Sequence, residues 1–172
     1  MKRFEKGSYV LYGVSGVCLI EDVRREALNR REQGEYYVLK PLYQRGATVL
    51  VPTDSQVLTG RMAPLPTPEE LTGLLDAARG RTMPWIHDRK ERNQAFQQVL
   101  KQCELPALLG LVDAVSRRRA ALAAEGKKLA SADESVLRRA EELVESEMAF
   151  VLGLDPRQAA AVLREKLGLE AE

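Results

Sequence analysis

The sequence predicts an α+β protein of two domains, in which a small β-barrel is followed by an all-α domain of about five helices. Residues 4–60 contain short runs of β-branched and aromatic residues that are separated by turns containing glycine. Residues 67–167 show helical periodicity with repeated capping signals. Between them, Arg61–Pro68 carries three prolines, which stop strands and stiffen the connection. We therefore place the two domains at residues 1–63 and 64–172.

Four segments of the first domain have the composition of β-strands. Ser8–Tyr12 and Val17–Val23 flank a turn with two glycines, and Glu35–Tyr43 and Ala47–Pro52 follow later. The polar segment Arg24–Gly34 is interpreted as an exposed hairpin loop. Four or five short strands in about sixty residues predict a strongly bent barrel of the SH3 or Tudor type. Such barrels are mostly binding modules, although the fold alone names no partner.

Capping signals locate the helices of the second domain. Thr67–Glu70 and Ser131–Glu134 have the pattern of capping boxes, and Asp155 followed by Pro156 marks another start. The expected helices span roughly residues 67–78, 88–102, 105–125, 131–152 and 155–167, with a start nearer Pro84 as the alternative for the second.

Composition and motif content argue against several classes of protein. The chain has no run of about 18 apolar residues, and Met1–Lys6 lacks the apolar core of a signal peptide, so we expect a cytoplasmic protein without membrane segments. Cys18 and Cys103 form no CxxC pair, which argues against a structural zinc site. There is no glycine-rich phosphate loop and no Ser/His/Asp or Cys/His constellation. The glutamates of Glu141–Glu147 are interpreted as a solvated helix face. We therefore expect no enzyme, no cofactor and no metal.

The segment around Trp85 is the strongest candidate for a nucleic-acid contact. It contains the only Trp and the only His of the chain. An aromatic ring among cations can stack on bases while the cations hold phosphates. The alternative is a core role, since a single Trp is more often packed than functional. If a helix continues from Trp85, its neighbours one and two turns later are Arg89 and Arg92, so we expect the indole to be exposed.

The charge distribution predicts weak and local DNA binding. The formal net charge is only +1. Lys and Arg outnumber Asp and Glu at residues 79–92 and 117–128, while the chain from residue 133 onward is acidic. Such a module needs a second tether to stay on DNA. The run Arg117–Arg119 fits either a solvated face or a further DNA contact.

Several of these segments, in this order, resemble the CarD/CdnL family of bacterial transcription regulators. Phe4–Gly13 is similar to the family's F-x-x-G-D-x-V-V-Y opening, and Glu35–Leu39 and Thr48–Pro52 are similar to its YYVL and T-V-x-V-P strands. Trp85 with Arg89 and Lys90 resembles the family's Trp-plus-basic segment. The late-helix resemblance lies in Leu129–Glu134, Ala140, Leu143 and Glu147.

The resemblance implies a transcription factor with two interfaces. A Tudor-like domain would pair a strand with the β subunit of RNA polymerase, and the helical domain would touch promoter DNA at the upstream edge of the bubble. There the Trp would wedge into the minor groove and stabilise the open complex. The implied polymerase contacts are Thr48, Val49, Leu50, Val51, Pro52 and Arg24. The implied DNA contacts are Trp85, Arg89, Lys90, His87, Arg92 and Arg81.

Three residues depart from the family pattern. Ser8 replaces the usual Asp, Leu50 stands where some members carry Arg, and His87 stands where a second Arg often lies. Leu50 in place of Arg affects the side-chain specificity of polymerase binding more than backbone pairing. His87 in place of Arg weakens the contact with DNA phosphates near neutral pH. We expect a monomer that associates with the nucleoid through RNA polymerase. The alternative is a protein-interaction adaptor that does not bind DNA.

Overall fold

An antiparallel sheet of five strands forms the first part of the protein in the computed structural model, which describes residues 3–29 and 32–169. The strands are β1 (Tyr9–Tyr12), β2 (Val17–Asn29), β3 (Glu32–Pro41), β4 (Val49–Pro52) and β5 (Met62–Pro64), and their order in the sheet is β4-β3-β2-β1-β5. A short helix, α1 (Gln56–Thr59), connects β4 to β5.

The strands of the sheet bury one apolar cluster. Its fully buried members come from every strand and are Val10, Cys18, Ile20, Tyr37, Leu39, Val51 and Met62. The predicted turn between the first two strands is present. Its Gly13 and Gly16 have φ of 48° and 68°, values that residues other than glycine rarely adopt. The predicted α+β fold class is confirmed.

The segment Arg24–Gly34 is not the loop that we expected. β2 and β3 remain paired through this segment, beyond the residues that pair with β1 and β4, with Arg25 opposite Glu35 and Ala27 opposite Gln33. The polar composition reflects a two-stranded ribbon with both faces in solvent, where pairing of the backbone persists without an apolar face. Residues 30 and 31 of this segment lie outside the described residues.

The proline-rich connection also contains a strand. β5 pairs with β1, with Ala63 opposite Leu11 and Pro64 opposite Val10. Proline is tolerated there because β5 is an edge strand, where an amide that faces away from the ladder is not needed.

The second part of the chain is helical, and by its contacts the chain divides into units Met1–Leu65 and Pro66–Glu172. The helices are α2 (Pro68–Ala78), α3 (Arg89–Gln102), α4 (Leu105–Ala124), α5 (Ser131–Leu152) and α6 (Pro156–Leu167). Central α4 packs against α2, α3 and α5. Large fully buried side chains of this core include Leu71, Leu75, Phe96, Leu109, Leu137, Met148 and Leu163.

Two predicted helix starts have different outcomes. Thr67 and Glu70 form the expected capping box, with the Thr67 amide 2.9 Å from the Glu70 carboxylate and the Glu70 amide 3.2 Å from the Thr67 hydroxyl. The predicted box at Ser131 and Glu134 is absent, because the helix begins one residue earlier. Ala130 is the N-cap, and Ser131 already lies in the first turn.

Glu147 corrects the interpretation of Glu141–Glu147 as a solvated face. Its side chain is buried, and burial raises the pKa of Glu147 to about 7. Glu145 is half-buried. Its burial is the larger cause, and the negative charges of Glu141 and Glu142 the smaller, that together raise the pKa of Glu145 to about 7. Only part of this acidic run is therefore turned to solvent.

Candidate functional site

Strand β4 is a terminal strand of the sheet, and in the described part of the chain its one strand neighbour is β3. The amide of Thr53, just after β4, donates to the carbonyl of Glu35 at 2.9 Å. Since the backbone groups of an antiparallel strand alternate in direction, this bond places the amides and carbonyls of Val51 and Val49 toward β3. The amide and carbonyl of Leu50 therefore point to the free edge.

Leu50 is the main residue of β4 whose backbone amide and carbonyl are available at the free edge. Pro52 has no amide to offer, and its carbonyl already accepts from the Ser55 amide at 3.3 Å. The Val51 side chain is fully buried, and Val49 packs against the same core. Thr48 is exposed, and its hydroxyl accepts from the Lys40 ammonium at 2.6 Å. The edge thus offers one complete amide–carbonyl pair within the strand.

Arg24 lies two strands away from this edge. It stands opposite Tyr36, which in turn stands opposite Pro52, so the three side chains share one face of the sheet. Two strand spacings put the Arg24 and Pro52 backbones about 10 Å apart. The Arg24 guanidinium is held by Glu26 at 2.6 Å on the same strand, while half of its side chain remains exposed. A partner at the β4 edge would reach Arg24 only across this face.

The segment that carries Trp85 is extended and precedes a helix. Gly80, with φ 76°, follows α2, and α3 begins only at Arg89 behind the N-cap Asp88. The amide of Met83 donates to the carbonyl of Gly110 on α4 at 3.3 Å. Trp85 therefore lies on a short linker pinned to the helical core.

The Trp85 indole is half-buried, which corrects the expectation of an exposed ring. Its centroid lies 6.1 Å from that of Phe96 in an edge-to-face arrangement, and the ring packs against the helical core. The expectation depended on a helix running on from Trp85. Because α3 begins later, helical spacing does not determine the neighbours of the indole.

Arg92 is also placed differently from the prediction. It is buried, and its guanidinium forms a bidentate ion pair with the buried Asp133, at 3.1 Å from Nε to Oδ1 and 3.0 Å from Nη2 to Oδ2. Its Nη1 donates to the carbonyls of Ile86 and His87 at 3.0 and 3.1 Å. The inclusion of Arg92 among the DNA contacts is therefore wrong, because its donors are committed inside the protein.

The remaining predicted DNA contacts near Trp85 in sequence are on the surface. The side chains of Arg81, His87, Arg89 and Lys90 are exposed, so they are free to meet a phosphate backbone. Their participation in DNA binding stays a prediction.

Arg118 joins this surface from α4, and it was not among the predicted site residues. Its side chain is exposed, and its guanidinium carbon lies 5.5 Å from the Trp85 ring centroid. Its neighbours in the arginine run have other roles. Arg117 pairs with Asp113 at 2.9 Å, and Arg119 faces Glu134 at 3.6 Å. The run was the available signal, but only the packing of α4 shows which of the three reaches Trp85.

No group of three or more His, Cys, Asp or Glu side chains suited to a metal ion occurs among the residues described. No helix in the same residues is both long and apolar enough to cross a membrane.

Comparison with protein families finds that residues 4–62 match the CarD-like/TRCF RID domain. The N-terminal part of the chain therefore contains a domain similar to this family. RID domains are protein-interaction domains that bind the β subunit of RNA polymerase. The match indicates a role in transcription. A comparison with curated proteins found no match.

The residues that match the RID domain contain the whole β4 edge. The matched residues run from Phe4 to Met62, so they include β1–β4, α1, Arg24 and the first residue of β5. The surface around Trp85 belongs to the helical unit, outside the matched residues. The two candidate surfaces therefore rest on different observations, a family match for the first and local geometry for the second.

Proposed function

We propose that this protein binds the β subunit of RNA polymerase through its RID domain and stabilises the promoter open complex through the surface around Trp85. The family match over residues 4–62 carries the first half of this proposal. The half-buried indole beside exposed cations supports the second half.

The polymerase contact is a strand added to the free edge of β4. Backbone hydrogen bonds supply affinity in this mode, and side chains supply selectivity. Leu50 offers the amide and carbonyl, and Leu50, Pro52 and Arg24 share the sheet face that a partner would cover. Because so few backbone groups are free, side-chain contacts on this face have to contribute much of the affinity.

The DNA contact is the insertion of the exposed part of the Trp85 ring at the upstream edge of the bubble. Its packing against Phe96 fixes the ring before it meets DNA, which reduces the ordering cost of binding. Arg81, His87, Arg89, Lys90 and Arg118 provide exposed donors for phosphates. A wedge at a distorted base step slows the return to paired and stacked DNA.

Docking on polymerase provides the tether that the weak DNA contact needs. With a net charge of +1 and few phosphate contacts, the isolated protein binds duplex DNA weakly and loses it as salt rises. Attachment to polymerase raises the effective local concentration to about the millimolar range. The protein then acts at promoters in the nucleoid without strong DNA affinity of its own.

A second candidate function is a protein-interaction adaptor without DNA binding. The half-burial of Trp85 and the internal commitment of Arg92 favour it, because both reduce the surface left for DNA. In this function the helices only support the RID domain.

Footprinting of a promoter with polymerase, in the presence and absence of the protein, separates these candidates. Added protection at the upstream edge of the bubble supports the open-complex function. Stable polymerase binding with an unchanged footprint supports the adaptor. Failure to bind polymerase would overturn both.

A further inference from the structure

Arg92 links three parts of the helical unit. It lies on α3, its carboxylate partner Asp133 lies in the first turn of α5, and its Nη1 bonds the carbonyls of Ile86 and His87 in the extended linker. Its guanidinium carbon also lies 4.8 Å from the centroid of the Trp85 ring. One buried side chain therefore contacts the indole and fixes the two backbone carbonyls that follow it.

Stability alone is a weak explanation for such a residue. A buried ion pair loses the hydration of both charges, and well-packed apolar residues of similar volume often replace it without loss of stability. Arginine is specifically suited to this place, since its planar fork can bind a carboxylate with one edge while the remaining donors reach carbonyls. A lysine ammonium lacks this fork and could not bond the carboxylate and both carbonyls in the same arrangement.

We propose that Arg92, held by Asp133, is a positioning residue that fixes the orientation of Trp85 for insertion into DNA; the DNA-binding consequence rests on the function proposed above. The linker lacks the repeated hydrogen bonds of a helix or strand. On either side of Trp85 its backbone is tied to the helices, by the Met83 amide to Gly110 of α4 before it and by the two bonds from Arg92 of α3 after it. Removal of Arg92 therefore frees the C-terminal side of the linker and one neighbour of the indole.

Because the chain has a single Trp, its fluorescence reports on the environment of the Trp85 indole alone. In an Arg92→Met/Asp133→Leu double variant, both charges are removed together, so net charge is unchanged and no buried charge is orphaned. We expect a folded protein whose Trp emission shifts to the red and is more readily quenched by acrylamide. With polymerase, its open-complex lifetime should move toward that of Trp85→Ala, while polymerase binding is retained.

A matched control is available in the same unit. Arg117 and Asp113 also form an Arg–Asp pair, but the second anchor of Arg117 is the Leu167 carbonyl at 3.0 Å, and neither carbonyl that Arg92 holds is involved. The Arg117→Met/Asp113→Leu variant should leave Trp emission and quenching unchanged. If the Arg92 double variant does not fold, Arg92→Lys provides the same optical test.

The outcomes distinguish this inference from the proposed function. Unchanged emission and quenching in a folded Arg92 variant, or an equal change in the Arg117 control, would overturn the positioning role. If Trp85→Ala shortens the open-complex lifetime but the Arg92 double variant does not, positioning is again wrong and the proposed function stands. If the optical change occurs but Trp85→Ala leaves the lifetime unchanged, the DNA function fails while Arg92 still positions the ring.

Discussion

The guanidinium carbon of Arg118 lies 5.5 Å from the centroid of the Trp85 ring, although the two residues belong to α4 and to the linker before α3. Packing of the helices thus assembles a cation and an aromatic ring that are distant in sequence. In the proposed DNA contact, the exposed side chain of Arg118 would contact a phosphate next to the base step that Trp85 enters.

Substitution of Arg118 by alanine should weaken the DNA contact without unfolding the protein. Exposed substitutions usually change stability by less than about 0.5 kcal/mol. Loss of one phosphate contact should reduce the slope of log affinity against log salt by about 1. The measurement is the affinity for promoter DNA across a salt series, with the open-complex lifetime beside it. Lys101→Ala removes one exposed cation elsewhere on α3 and serves as the control; equal effects of the two variants would argue against a specific contact.

Trp85→Ala should affect both stability and the open complex. The ring is half-buried, so we expect a loss of about 2 kcal/mol, below the cost of about 3–5 kcal/mol for a fully buried Trp. Loss of base stacking, about 1–3 kcal/mol, should shorten the open-complex lifetime by roughly five- to a hundredfold. A thermal melt and a lifetime measurement test the two parts. Trp85→Phe keeps a ring against Phe96, so it should retain more stability and a longer open-complex lifetime than Trp85→Ala. An unchanged lifetime in Trp85→Ala would contradict the wedge hypothesis.

The direction of the β4 backbone groups gives different expectations for two proline substitutions. Leu50→Pro removes the outward amide and should reduce polymerase binding while the β3–β4 ladder survives. Val49→Pro removes an amide that points to β3, so it should destabilise the sheet itself. Circular dichroism melts beside a polymerase-binding assay separate the two effects. Leu50→Ala controls for the side chain; full binding by a folded Leu50→Pro protein would locate the contact elsewhere.

Burial of Glu147 predicts that stability falls as pH rises. Because the pKa is raised from its ordinary value of 4.5 to about 7, the folded protein holds this proton more tightly than the unfolded chain. The contribution of this proton to the stability of the folded protein is complete below about pH 4.5 and is lost as pH rises through 7. Glu147→Gln should therefore gain stability relative to the parent protein toward alkaline pH, by at most on the order of 3 kcal/mol.

Denaturant unfolding of both proteins at several pH values measures this gain. Glu165→Gln, at an exposed position on α6, is the control and should leave the pH dependence unchanged. A constant difference between Glu147→Gln and the parent protein from pH 5 to 8 would contradict the prediction.

The helices could be predicted because their signals are local. Thr67 with Glu70 and Asp155 with Gln158 form capping boxes within four residues of sequence, and Gly153 ends α5 in the left-handed conformation. The ribbon after Arg24 was missed because strand pairing there buries neither face, so the alternation that reveals a strand is absent.

The surface around Trp85 could be predicted only in part. Its exposed cations lie close to it in sequence, whereas the contact with Arg118 and the burial of Arg92 depend on how α3, α4 and α5 pack. Asp133, which accepts the ion pair of Arg92, follows it by 41 positions, and no local pattern connects the two.

The brevity of β4 has a consequence for self-association. An exposed sheet edge is a template on which identical chains can aggregate, and natural proteins limit this by keeping edge strands short or interrupting them with proline. Here the strand has four residues and ends at Pro52, so Leu50 alone offers both a donor and an acceptor outward. A second copy gains too few hydrogen bonds to extend the sheet, while a partner that also recognises the neighbouring side chains can still dock. The feature that restricts the binding edge therefore also limits self-association at β4.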